Sequence, residues 1–184
     1  MPFRKGSFPQ RGVGMQKTWV RVITTILSLG IMGMIFCFSM EPAAESDVTS
    51  GRIAELAADV LRPEWRTYEP EKKLSFYNEM QHVVRKCAHF TEFMLLGLSL
   101  RLCLESWFGK RKWLGIAGWT GGTLYAALDE AHQIRVDGRS GQWPDVLIDS
   151  AGVLTGVLLI TCILYFYRRR RDKLYLSCIN MHNN

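Results

Sequence analysis

The sequence predicts an all-α integral membrane bundle of four transmembrane helices, with short amphipathic helices in its first outer loop. Three observations lead there. Apolar residues fall into four blocks, each about 20 residues long, enough to cross a ~30 Å hydrocarbon core as a helix. Basic residues flank the blocks at alternate boundaries. A dense polar set lies beside the blocks, where charge is expensive and usually functional. The mean hydropathy of +0.00 hides this pattern because it averages apolar blocks with charged flanks.

The chain has 184 residues, a length for one domain. Residues 1–17 read as a flexible basic tail carrying Arg4, Lys5, Arg11 and Lys17. The transmembrane domain covers 18–167, with spans at roughly 19–40, 87–107, 112–131 and 145–167 and an outer loop at 41–86. Residues 168–184 form a basic tail. The first block is longer than the roughly 7–15 residues of a signal-peptide core, and Pro42-Ala43-Ala44 is a poor cleavage site, so it reads as an uncleaved anchor. The third span, with its glycines and threonines, is the least apolar.

In the outer loop, Ile53, Leu56, Ala57, Val60 and Leu61 recur at helical spacing after a candidate cap at Ser50. This predicts a short amphipathic helix lying on the membrane or the bundle, ended by Pro63. A second helix starts at Pro70, where proline suits the first turn and Glu71 suits the helix dipole. It carries Leu74, Tyr77, Met80 and Val84 and runs into span two. Spans three and four contain Gly118-xxx-Gly122 and Gly152-xxx-Gly156. Small residues four apart let helix backbones approach in lipid, which predicts close packing of these two spans.

The formal charge of +6 is concentrated in the N-terminal tail, in Lys110, Arg111 and Lys112, and in Arg168 to Arg171 with Lys173. With four spans all three groups share one side, which the positive-inside rule makes cytoplasmic. Arg85 and Lys86 run against the rule locally. The expected location is the cell membrane, multi-pass, with both termini cytoplasmic. Basic runs beside spans attract anionic lipid. Nucleic acid is not the expected partner, because the basic residues flank spans rather than form a separate patch. The five cysteines include no CxxC and no plausible outer pair, so neither disulfides nor a cysteine metal site is expected.

The candidate site gathers at the outer ends of three spans. Lys86, His89 and Glu92 step by three along one face of span two. Asp129 and His132 share that step at the end of span three, beside Glu130 and Gln133. Asp145 and Asp149 lie four apart at the start of span four. Arg139, in Asp137-Gly138-Arg139-Ser140-Gly141, is placed to fold over them as an acid partner or anion clamp. Each residue also has a structural reading. Asp145 suits an N-cap, Lys86 and Arg139 can simply neutralise Glu92 and Asp149, and Arg101 snorkels toward the inner surface. Acid-and-His pairs on facing helices can hold metals. Here the acid and His orders differ between the helices and HExxH is absent, so neither metal nor cofactor is expected.

These residues resemble the VanZ family of bacterial membrane proteins. The first family pattern is Lys, His-Phe-x-Glu-Tyr and Leu-Gly. Lys86, His89-Phe90-Thr91-Glu92-Phe93 and Leu96-Gly97 match it, with Phe93 in place of the tyrosine. The second is Asp-Glu-x-His-Gln, then Gly-Arg-Ser, then Asp. Asp129, Glu130, His132, Gln133, Gly138-Arg139-Ser140 and Asp145 match it; Asp149 stands where the family usually has Asn, and Gly152 follows. The resemblance covers roughly residues 30–165. It implies a multi-span protein linked to reduced susceptibility to teicoplanin-type glycopeptides.

Three function classes follow. The first is a binding or accessory protein at the outer leaflet, acting on envelope lipids or antibiotic access, with membrane lipids, lipid-linked cell-wall precursors or lipoglycopeptides as partners. The second is an enzyme on a lipid-linked substrate using the His/acid cluster. The third is a transporter or scaffold subunit, which would need to oligomerise through its glycine faces.

Overall fold

The computed structural model describes residues 11–136 and 143–182, with side-chain surroundings at 17–42, 48, 50–136 and 143–173. Among the described residues there are five α-helices and a short 3-10 helix, and no strand. The helices are α1 (Arg11–Ser39), α2 (Ala43–Leu61), α3 (Pro70–Phe108), α4 (Leu114–Gln133) and α5 (Trp143–His182), with the 3-10 turn at Pro63–Thr67.

Three helices are long and apolar enough to cross a membrane, at Lys17–Ser39, Pro70–Phe108 and Trp143–Lys173. The expected fourth, α4, is a helix of 20 residues but is not among them. Four glycines, two threonines, Asp129 and Glu130 dilute its apolar content. Helix α1 already includes Arg11–Lys17, which the sequence assigned to a flexible tail, and the basic run after residue 167 is helical, with α5 continuing to His182. Neither stretch contains a proline, so each helix propagates outward from its apolar part.

Helix α3 begins at Pro70, which needs no amide partner there, with Glu71 in its first turn. It ends at Gly109, whose φ of 70° suits only glycine comfortably. Its 39 residues span about 58 Å at 1.5 Å each, so roughly half lies beyond a ~30 Å core. Helix α2 packs on that projecting half. Ser50, the candidate cap, lies inside α2 and receives a hydrogen bond from Gln81 Nε2 at 3.3 Å. Small residues face α3, with Ser50, Gly51, Ala54 and Ala58 buried, while Ile53, Leu56 and Val60 point outward. Below α2, Trp65 is buried against Phe76 and Tyr77 and donates to Asp59 at 2.8 Å, and Arg66 grips the same carboxylate at 2.8 and 2.6 Å. This fork holds the Asp59 carboxyl down at about 2, through the Arg66 hydrogen bonds first and Trp65 second.

The core joins Ile35 of α1, Phe93 and Leu96 of α3, Ala126 of α4, and Val153 and Val157 of α5. Tyr125 lies against this core and donates to the Met32 carbonyl at 2.7 Å, tying α4 to α1. The most extensive interface is α3 with α5. A Cβ at Gly152 would lie 2.5 Å from the Phe90 carbonyl oxygen, and one at Gly156 would collide with the Met94 carbonyl. Gly97 meets the Val153 backbone in the same way. The glycine pairing expected from the sequence is therefore redrawn. Gly118 and Gly122 face Val157 and Val153 of α5, but Gly152 and Gly156 turn to α3. Successive helical residues lie 100° apart, so adjacent stripes of α5 serve two different neighbours.

Candidate functional site

The polar residues meet where α3 and α5 have antiparallel α4 ending between them. On α3, Lys86 pairs with Asp145 of α5, so Asp145 rather than Glu92 is the acid it neutralises. Asp145 sits in the first turn of α5, two residues past its first residue, and is not the N-cap expected from the sequence. One turn further along α3, His89 Nδ1 lies 3.9 Å from Glu92 Oε2, and both side chains are mostly covered. On α4, Gln133 Nε2 donates to Asp129 Oδ2 at 3.0 Å. Asp129, Glu130 and Gln133 are all buried.

Asp149 stands at the centre and is 2% exposed. Glu130, Asp129, Asp145 and Glu92 all lie close enough to act on it electrostatically. Five carboxylates from three helices thus crowd one place, beside Lys86 and His89 among the described residues. Like charges in a low dielectric repel strongly.

His132 goes elsewhere. Its ring lies 5.0 Å from that of Phe36, at the seam between α1 and α4. The Asp129–His132 step predicted one shared face, but Asp129, Glu130 and Gln133 form the inward face instead. Arg139, with Gly138 and Ser140, lies outside the described residues. Among the described residues no group of three or more His, Cys, Asp or Glu has an arrangement that could hold a metal.

Two openings flank the cluster. A groove of ≈ 400 Å³ runs along α3, lined by His82, Val83, Lys86, Phe90 and, from α5, Ile148. A smaller cavity of ≈ 90 Å³ lies between α4 and α5, where Glu130 meets Ala127, Ile134, Trp143 and Val146. Both are dominated by apolar walls.

Sequence reasoning missed a second polar group at the other end of the same helices. Arg101 does not snorkel outward; it is 6% exposed and reaches Glu105 at 2.8 Å, and Glu105 also pairs with Arg168 of α5. The signal was present as an Arg and a Glu four apart inside an apolar block, a spacing that puts both on one helix face. Ser150 was missed too. It receives Trp119 Nε1 at 3.0 Å and bonds with Thr123 at 2.8 Å, fastening α4 to α5 just beyond Asp149.

A family model described as VanZ/LLP1 matches residues 24–165, which contain every residue that builds the cluster. Neither a curated protein nor a solved structure gives a match. The match spans well over half of the chain and agrees with its all-helical, membrane-like architecture, and on that ground the chain belongs to the VanZ/LLP1 family.

Proposed function

We propose that this protein binds the polar head of a lipid-anchored molecule at the buried acid cluster, with the apolar part of the ligand lying in a flanking groove. The observation that carries this reading is the pairing of five crowded carboxylates with two apolar-walled openings. The carboxylates accept hydrogen bonds from hydroxyl, amide or ammonium groups. Lipid-linked cell-wall precursors and lipoglycopeptides carry such donors on one end and an apolar chain on the other. Action on envelope lipids, or on glycopeptide susceptibility, follows from that binding.

The proposal includes a fourth span and an orientation. Helix α4 turns Ile116, Leu124 and Leu128 outward, a strip suited to lipid. Lys86 and Glu105 are separated along α3 by about 28 Å of helix, close to a ~30 Å core. Lys17, Lys110, Arg111, Lys112 and Arg168 to Arg171 lie toward the Glu105 end, which supports a cytoplasmic placement of that end and an outer placement of the acid cluster. Cysteines placed at Ser46 and Ser177, in a background lacking the native cysteines, should label from opposite sides, with Ser46 outside. Labelling of Ser177 from outside would reverse the orientation.

Binding is tested with a polyprenyl-linked cell-wall precursor and the full chain in nanodiscs. Asp129→Ala and Glu92→Ala should each weaken it at least about tenfold, the scale of a hydrogen bond to a charged group, at unchanged insertion levels. Full binding by both variants would overturn the reading. Turnover of the precursor by the wild type would favour an enzyme using the same cluster.

A further inference from the structure

The opposite end of the bundle holds a second, chemically different pocket. A groove of ≈ 530 Å³ lies between the start of α1 and the end of α3, lined by Lys17, Val20, Arg21, Glu105, Ser106 and Trp107. Arg21 Nε donates to the Ser106 carbonyl at 3.0 Å, and its guanidinium lies over the Trp107 ring at 5.3 Å. These contacts fix the side chain through one nitrogen and one face. Its terminal nitrogens meet no acceptor among the described residues, and Lys17 meets no acid there.

Glu105 does not balance this charge, because it is already held between Arg101 and Arg168. Arg101 is nine-tenths buried and its Nε has no hydrogen-bond partner among the described residues. Lys17 and Arg21 thus line the same groove as a carboxylate that Arg101 and Arg168 already engage. Arg101 is buried, Arg21 and Arg168 are partly covered and Lys17 is exposed at the mouth, so the groove carries a local excess of positive charge that attracts an anion. The rim supplies the level of that anion. Trp107, Phe108 and Trp113 are exposed together, as interfacial aromatics are, and Val20 continues the groove as an apolar wall.

We infer that this groove binds the phosphate of an anionic phospholipid from the adjoining leaflet, with Arg21 and Lys17 as its ligands and Trp107 packed beside the glycerol region. The inference stands apart from the acid cluster and from which leaflet adjoins this end. Charge complementarity favours the lipid phosphate over a zwitterionic head, and the apolar wall with its aromatic rim favours a lipid over a free anion.

The test uses the full chain in a neutral detergent, titrated separately with phosphatidylglycerol, phosphatidylcholine and inorganic phosphate. Thermal unfolding and native mass spectrometry are the readouts. Phosphatidylglycerol should raise the Tm and remain as a single bound lipid, while the other two should do neither. Arg21→Gln and Lys17→Gln should each weaken phosphatidylglycerol binding about fivefold, the effect of one basic residue near a lipid surface. Arg170→Gln removes the same charge from an exposed position on α5 and should leave binding within about twofold. Lys17→Gln breaks no ion pair or hydrogen bond among the described residues, so it decides the matter if Arg21→Gln fails to fold. Equal binding of the two lipids would overturn the inference. So would an equal loss in Arg170→Gln, and equal stabilisation by inorganic phosphate would show a free-anion site instead.

Discussion

At one end of the bundle, Glu105 lies between Arg101 and Arg168; at the other, Asp149 lies among Glu92, Asp129, Glu130 and Asp145. Both groups draw on α3 and α5, the acid cluster on α4 as well, and both are at least partly buried. The first is an acid short of partners for its bases, and the second is a crowd of acids. The difference teaches that burial of charge in this fold has two purposes. The proposed ligands differ accordingly, an anion at the arginine end and a donor or a cation at the acid end, and the glycine-lined contact of α3 with α5 holds the two ends apart.

The largest way to break this comparison is to part those two helices. Gly156→Leu would drive a side chain into the Met94 carbonyl. It should cost about 3 kcal/mol and abolish both ends together, read as loss of a cooperative thermal transition in detergent. Retention of either end alone would show that the ends are independent of the contact.

A matched pair of changes sharpens it. Glu105→Gln leaves Arg101 and Arg168 without their shared anion and should destabilise by about 3 kcal/mol, as removing one partner from a buried ion pair does. Asp149→Asn removes one of five crowded carboxyls and should stabilise by about 1 kcal/mol at alkaline pH, where like charges repel most. Destabilisation of similar size by both would erase the distinction between the ends.

The smallest effect separates the projecting lobe from both. Asp59 has its carboxyl lowered from about 3.9 in an unfolded chain to about 2. Its contribution is therefore complete above about pH 4 and is lost as pH falls through about 2. Asp59→Asn should flatten the acid dependence of proteolysis within α2 over that window and leave the transmembrane core unaffected. An unchanged profile would place the titration elsewhere.

How much of this was legible follows from what each feature needs. The start of α3 at Pro70 and the three apolar spans of α1, α3 and α5 rest on local pattern, and they were readable. Lys86, Glu92, Asp129, Asp145 and Asp149 were readable as one cluster because charge at the edge of an apolar block stands out. Their pairings were not. Lys86 chooses Asp145 over Glu92, although Glu92 lies on its own helix face, because α5 brings Asp145 within reach. His132 shares a step with Asp129, yet a rotation of one stripe moves it to Phe36 on α1. The partner of Glu105 is 63 positions away along the chain and belongs to a run that looks like a solvated tail. Glycine spacing showed that close approach would occur, but which neighbour it served required knowing that α5 has two.

Val153 is that double neighbour. It is fully buried, its backbone meets Gly97 of α3, and its side chain faces Gly122 of α4, where a Cβ would come within 2.5 Å of Cγ1. For sequence drift this makes position 153 a one-way gate: it can shed atoms but cannot gain them. Gly122→Ala should then be admitted only on a background that first carries Val153→Ala. Across diverging copies of this chain, bulk at 122 and bulk at 153 should trade against each other, while Gly97, pressed against main chain that no substitution can shrink, stays as it is.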